Sequence, residues 1–353
     1  MADHGLAQVI GIVEVAALAG VSPATVSRAL RGLPGVSAST KAKVEHAAGE
    51  LGYVASPSAA ALSTGRTGAI GVMAPRISRW FFSAVIEGAH DIVAERGYDT
   101  LLYPLGANAG PEARPIDIRS LHKRVDGVIG LNVPLGLQPY WLHVLRIPLV
   151  TVGSTIPAAS GVLVDDVEIG YLATCHLLHL GHRQIAFLGQ DPDDMYGFTV
   201  AADRQRGYEK ALLENRIAVD PALVGITGFT LEGGSAALDK LWQESGQYPT
   251  CMPTAAFAVS DEVAMGIIHA ARGLGLRVPE DISVIGVDNH DLSYLFDLTT
   301  IGQPVREQGR IAAGMLLDHV RLPKPLAREV VRLDPRLIVR STTGPPRAVP
   351  IRI

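Results

Sequence analysis

Cysteine is scarce in this 353-residue chain: Cys175 and Cys251 stand alone, with no paired spacing. That excludes a disulfide scaffold and suits a reducing compartment. Charge is also sparse, at 19% of residues, and the net charge of −4 excludes a general basic coat for nucleic acid, leaving room only for a local contact. No stretch approaches ~20 consecutive apolar residues, so no membrane span is expected. Residues 1–11, MADHGLAQVIG, lack a basic region followed by an apolar run. No export signal is expected, and the expected location is the cytoplasm.

Catalytic and cofactor signatures are missing as well. There is no Walker phosphate loop, GxSxG elbow or HExxH motif. GLGL (273–276) follows a helical stretch rather than a strand, and DPDD (191–194) falls short of a calcium loop. HLLHLGH places His176 and His179 on one helix face, but His182 comes after Gly181, where the helix should end. A helix C-terminus rich in histidine is the plainer account than a metal site. The expectation is therefore no enzyme, no cofactor and no metal.

What is present is ample apolar content, 48%, over a length suited to two or three domains. Near the start, GVSPATVSRALRG (20–32) reads as an amphipathic helix. Val26, Ala29 and Leu30 fall on one side and Ala24, Ser27, Arg28 and Arg31 on the other. Ser22 is a good N-cap and Pro23 a good first helical residue. Upstream, EVAALAG forms a short helix ending at Gly20, with Val15, Ala16 and Ala19 small enough for a close crossing. A third helix begins after Ser37, with Val44, Ala48 and Leu51 in register. Two short helices joined at a glycine are a helix-turn-helix, here completed by a third. Residues 56–65, SPSAAALSTG, repeat the Ser-Pro start, but the segment is under three turns and marginal alone. A plain Ser/Ala linker is the other reading.

From residue 69 the pattern changes. AIGVMAP, DTLLYPL, GVIGLNV, PLVTVGS and GVLVDD read as strands, with a helix after the first and another helical stretch before PLVTVGS. A second series follows: helix 167–181, QIAFLGQ, helix 199–216, LVGITGF, helix 231–245, AAFAVS, helix 261–275 and SVIGVDN. TTIGQP, helix 305–321 and a last strand, RLIVRS, close the chain. Short apolar strands alternating with helices imply parallel sheets in two lobes. Such sheets bind ligands beyond the C-terminal ends of their strands. Those ends carry Arg76, Arg79, Trp80, Phe81, Phe82, Asn132, Gly153, Gln190, Ser260, Asp261, Asp288 and Asn289. Aromatic rings beside carboxylates and amides suit a sugar-like ring. Alternatives stay open: either phenylalanine as core, Asp261 as a helix cap, Arg204 paired with a surface acid.

VEVAALAGVSPATVSRALRG and VSASTKAKVEHAAGELGYVASPSAAALSTGRTGAIGV closely resemble the DNA-binding head of the lac repressor (LacI/GalR) family, and the resemblance continues through the chain. It implies an all-α helix-turn-helix head (1–55), a hinge (56–66), an α/β two-lobed periplasmic-binding-protein-like core with parallel sheets (67–345) and a tail (346–353). In that family the second helix enters the major groove, which assigns base reading to Pro23, Ala24, Thr25 and Arg28. Of these, Arg28 alone suits a bidentate guanine contact. Ser22, Thr25 and Ser27 suit phosphates or capping. The hinge helix would start at Ser56 and drive Leu62, one turn after Ala59, between base pairs. Here Ser56 and Ala60 depart from the family's frequent asparagine and arginine or glutamine. The resemblance also assigns effector contacts to Asn132, Arg204 and Asp288, beside Trp80, Phe82 and Ser260 from the strand ends. Where many members read an aspartate and Asn-Pro-Phe-Phe, this chain has Arg76 and Arg79-Trp80-Phe81-Phe82, which hints at a bulkier or negatively charged ligand. Through residue 66, five bases against four acids leave only +1, weak for one head, so a homodimer on operator DNA is expected. The expected function is a DNA-binding transcriptional regulator, a repressor, controlled by a sugar-like effector.

Overall fold

The computed structural model describes residues 10–54, 65–105, 118–133, 145–157, 159–191, 197–322 and 327–347. The chain divides into two compact units, Met1–Gly68 and Ala69–Ile353, two residues beyond the expected end of the hinge. Ser56, Ala59 and Leu62 lie outside the described residues, as does the helical stretch expected before PLVTVGS.

The first unit contains α1 (Ile12–Ala19), α2 (Pro23–Leu30) and α3 (Ala38–Leu51). Gly20 ends α1 at φ +67, a conformation costly for residues with a Cβ, and α2 leaves at 96° to α1. Ser22 accepts the Thr25 amide at 3.2 Å and Ser37 that of Thr40 at 3.2 Å, so both expected caps form. Val15, Val26 and Val44, all fully buried, meet at the centre with Ala16, Ala29, Ala47 and Ala48. The small side chains let three short helices close around so little apolar volume.

The second unit contains two six-stranded sheets. The N-terminal lobe takes β1 (Ala69–Ala74), β2 (Asp99–Pro104), β3 (Gly127–Leu131), β4 (Leu149–Val152) and β5 (Ser160–Val164). The C-terminal lobe takes β6 (Ile185–Gln190), β7 (Val224–Ile226), β8 (Ala255–Ala258), β9 (Ser283–Asp288) and β10 (Thr299–Gly302). The expected last strand is in fact two. β11 (Val330–Leu333) returns to the N-terminal lobe, parallel to β5, and β12 (Arg336–Ile338) joins the other lobe antiparallel to β10. The strand orders are β11-β5-β4-β3-β1-β2 and β12-β10-β9-β8-β6-β7. The chain thus crosses between lobes after β5, after β10 and after β11.

Helices α4 (Trp80–Glu95), α5 (Asp166–His179), α6 (Val200–Glu214), α7 (Leu231–Glu244), α8 (Asp261–Gly273) and α9 (Val305–Arg321) cover the sheets. They cross in pairs with a glycine on each partner. A Cβ at Gly170 or Gly207 would lie 2.0 Å from a carbonyl oxygen across the α5–α6 contact. Gly88 and Gly309 play this part between α4 and α9, and Gly234 and Gly266 between α7 and α8. These approaches put backbone against backbone and fix the helix ends that face the cleft.

The C-terminal segment is part of this unit. His182, fully buried, engages Thr254 at 2.8 Å, Ser283 at 3.1 Å and the Gly344 carbonyl at 2.8 Å. Arg347, expected in a free tail, donates to the carbonyls of Met252 and Asp281, so the body extends at least to residue 347. No single described helix is long and apolar enough to cross a membrane.

Candidate functional site

The first site is the outer face of α2. Its inner residues Val26 and Ala29 are buried, which turns Ser22, Pro23, Ala24 and Arg28 outward and leaves Thr25 and Ser27 half-buried. Ser22 and Thr25 are committed to each other. The Ser22 hydroxyl caps the helix and lies 2.9 Å from Thr25 Oγ1. That leaves Arg28 as the exposed side chain of α2 with donors for a base edge.

The second site is a cavity of about 370 Å³ between the two lobes of the second unit. It lies beyond the C-terminal strand ends. Trp80, Phe82, Asn132, Arg204, Ser260 and Asp288, predicted from separate stretches of sequence, all line it. Phe81 lines it too, edge-on to Phe82 with ring centroids 5.4 Å apart. Both phenylalanines also pack on the core of the N-terminal lobe, so neither role excludes the other.

Asn132 follows β3 at φ +40, and its Oδ1 is buried with no hydrogen-bond partner among the described residues. Gly153 makes room for it, since a Cβ there would sit 1.9 Å from that oxygen. Arg204 on α6 is 4% exposed. Its Nε donates to Asp166 Oδ1 at 2.8 Å, and Nη1 donates to the Val259 carbonyl. In place of a surface acid, the partner is Asp166, half-buried at the start of α5 with its side chain 18% exposed. Burial holds the Asp166 carboxyl above its ordinary range, against the pull of Arg204.

Asp288 ends β9 at φ +122, a strained conformation for an L residue. Its Oδ1 accepts from Gln303 Nε2 at 2.6 Å, and Gln303 Oε1 accepts from Gln308 Nε2 at 3.2 Å. An amide chain thus runs from the N-terminal lobe's α9 to the acid of the other lobe. Burial pushes Asp288 up to about 7, opposed by Arg204 and Gln303. Asp261 is not the helix cap. Ser260 takes that place, its hydroxyl accepting the Val263 amide at 3.4 Å. Asp261 lies fully buried, accepting from Thr300 Oγ1 at 2.7 Å and the His290 amide at 2.8 Å. Burial, then Asp288, raises it well above the carboxylate range.

Sequence reading missed Asp166, Glu262, Gln303, Gln308, Phe198 and Phe229, all of which line the cavity. Gln303 directly follows β10 and Asp166 stands two residues beyond β5, so the strand-end rule reached them in principle. Phe229, at φ +56, carries no local signal. Gln190 and Asn289 turn elsewhere. Gln190 donates to Gln205 at 3.0 Å, and Asn289 accepts from Arg340 at 2.7 Å.

Residues 11–56 match the family model described as bacterial regulatory proteins, lacI family, and residues 174–343 match a periplasmic binding protein-like domain. The HTH-type transcriptional repressor PurR of Vibrio atlanticus (strain LGP32) is 33% identical over 338 residues, covering 94% of this chain and 98% of PurR. The solved lac repressor dimer, bound to operator and the anti-inducer ONPF, is 26% identical with a TM-score of 0.80, covering 95% of this chain and 99% of that one. The transcriptional regulator CelR in complex with cellobiose is 28% identical with a TM-score of 0.64, covering 94% of this chain and 99% of that one.

Proposed function

This chain belongs to the LacI family of bacterial regulatory proteins, and from that premise we propose that it represses transcription in the cytoplasm under the control of an uncharged, sugar-like effector held between its lobes. It is a DNA-binding regulator and not an enzyme, and it binds operator DNA as a homodimer. The α2 face reads the operator, with Arg28 as the polar reader and Pro23 and Ala24 against thymine methyls.

The observation that carries the effector reading is the cavity between the lobes, whose wall brings Asn132, Arg204 and Asp288 together with aromatic rings from both lobes. A hydroxylated ligand suits such a mixture of amide, guanidinium and carboxyl groups. Trp80 and Phe82 from one lobe and Phe198 and Phe229 from the other line the same cavity, aromatic surface for a ring. Of the three arginines that line the cavity, Arg76, Arg79 and Arg204, two are paired. Arg204 is paired with Asp166, and Arg79, which in sequence hinted at an anionic ligand, lies 3.6 Å from Glu262. Asp288, held near neutrality, both accepts and donates. The CelR–cellobiose complex supports the sugar class. Ligand contacts to both lobes shift their closure, and operator affinity follows as a coupling free energy.

A thermal-shift screen of neutral sugars against their phosphates tests this. A neutral sugar should raise the melting temperature, change the gel-shift affinity for a bound genomic fragment and lose both effects in Asp288→Ala. Wild-type calorimetric affinity in a folded Asp288→Ala dimer would eliminate the site.

A further inference from the structure

Helix α4 begins without a cap of its own. Its N-cap residue, Arg79, makes no side-chain hydrogen bond to the helix start. The first amides of a helix have no partner within it, so they must find one elsewhere. Here the nearest carboxylate belongs to the other lobe. The carboxylate of Glu262, in the first turn of α8, lies close to the Trp80 main-chain N–H. Arg79 Nη1 lies 3.6 Å from the same carboxylate, the two side chains 25% and 27% exposed. Beside them, Trp80 Nε1 donates to Asp291 Oδ2 at 2.9 Å, and the indole rests on the His290 ring at a centroid distance of 4.8 Å and 33°. Two consecutive residues of one lobe are thus gripped by Glu262, His290 and Asp291 of the other. Arg79, Trp80 and Glu262 also line the cavity.

We propose that Glu262 caps α4 across the cleft and that, with the Trp80–Asp291 contact, it forms a latch that holds the lobes together without a ligand. The carboxylate is doubly suited to this. It accepts an N–H at the positive end of a helix dipole, and it neutralises the arginine that precedes the helix. Opening the lobes takes both partners away at once. It leaves an uncapped helix start, a half-buried unpaired carboxylate and an indole N–H without its acceptor. Ligand exchange therefore waits on the release of α4, and the latch sets the balance of open and closed lobes on which an effector acts. Asp291 holds the indole of Trp80 from the other lobe.

Hydrogen–deuterium exchange of the full-length, ligand-free protein tests the coupling, read on the peptide covering residues 79–84. Glu262→Ala should speed exchange there by about 2- to 30-fold, the range expected for losing one cap. Glu262→Gln should recover most of the protection, because its amide oxygen still accepts from Trp80. Asp291→Ala, at an exposed position, should also speed exchange in this peptide, and it keeps the test valid if Glu262→Ala fails to fold. With Trp141 and Trp242 replaced by Phe, acrylamide should quench Trp80 more strongly in both alanine variants. Unchanged exchange in Glu262→Ala would overturn the cap. Faster exchange in Glu262→Ala with wild-type exchange and quenching in Asp291→Ala would overturn the latch, leaving Glu262 a local contact. Neither failure bears on the effector reading, since no ligand takes part.

Discussion

Asp288→Asn should change how stability depends on pH more than it changes stability itself. The wild-type carboxyl is pushed up to about 7 by burial, against an unfolded value of about 3.9. The folded chain therefore holds the Asp288 proton where the unfolded chain has released it. This contribution to stability is fully present below pH ~4 and is lost as pH rises through ~7. Between pH 5 and 8 about two pK units of that window are crossed. At 1.36 kcal/mol per unit, wild type should lose on the order of 3 kcal/mol relative to the variant. Asparagine resembles the protonated acid. Its oxygen keeps the 2.6 Å bond from Gln303, and its amide takes the place of the hydroxyl. The like-charge pressure of Asp288 on Asp261 disappears as well, which works in the same direction. Urea unfolding at pH 5, 6, 7 and 8, followed by circular dichroism, gives the difference directly. The variant's advantage should grow by about 3 kcal/mol between pH 5 and pH 8. A stability difference that does not vary with pH would refute the argument.

Two further outcomes follow from the same geometry. Gly207→Ala should cost about 1–3 kcal/mol or more in chemical unfolding, because its Cβ would meet the Val167 carbonyl at 2.0 Å and neither backbone can withdraw; a stability within about 0.5 kcal/mol of wild type would show that α5 and α6 are free to move apart. Arg28→Ala should weaken binding to a selected genomic fragment by about 1–3 kcal/mol while leaving random DNA nearly unchanged at the same salt; equal losses on both would make Arg28 a phosphate contact.

The helix-turn-helix was legible because its determinants are local. Ser22, Pro23 and Gly20 act within one turn of the backbone they control, and Val15, Val26 and Val44 are placed by helical periodicity. The strand-end rule reached Trp80, Phe82, Asn132, Ser260 and Asp288 for a similar reason: a parallel sheet aligns its strand ends whatever the loops between them. Which charges meet was a different matter. Arg204 and Asp166 are 38 residues apart and meet where α5 packs on α6, while Arg79 and Glu262, far more distant in sequence, meet only because three crossovers join the two lobes. The same crossovers send β11 and β12, separated by two residues, into different sheets, a choice that no alternation of apolar residues encodes. Local propensity and periodicity determined the elements and the direction in which the sheets point. Only the tertiary structure decided that Arg79 is neutralised, that Asp261 and Asp288 share one buried corner, and that Trp80 of one lobe donates to Asp291 of the other, because each of these rests on groups brought together from distant parts of the chain.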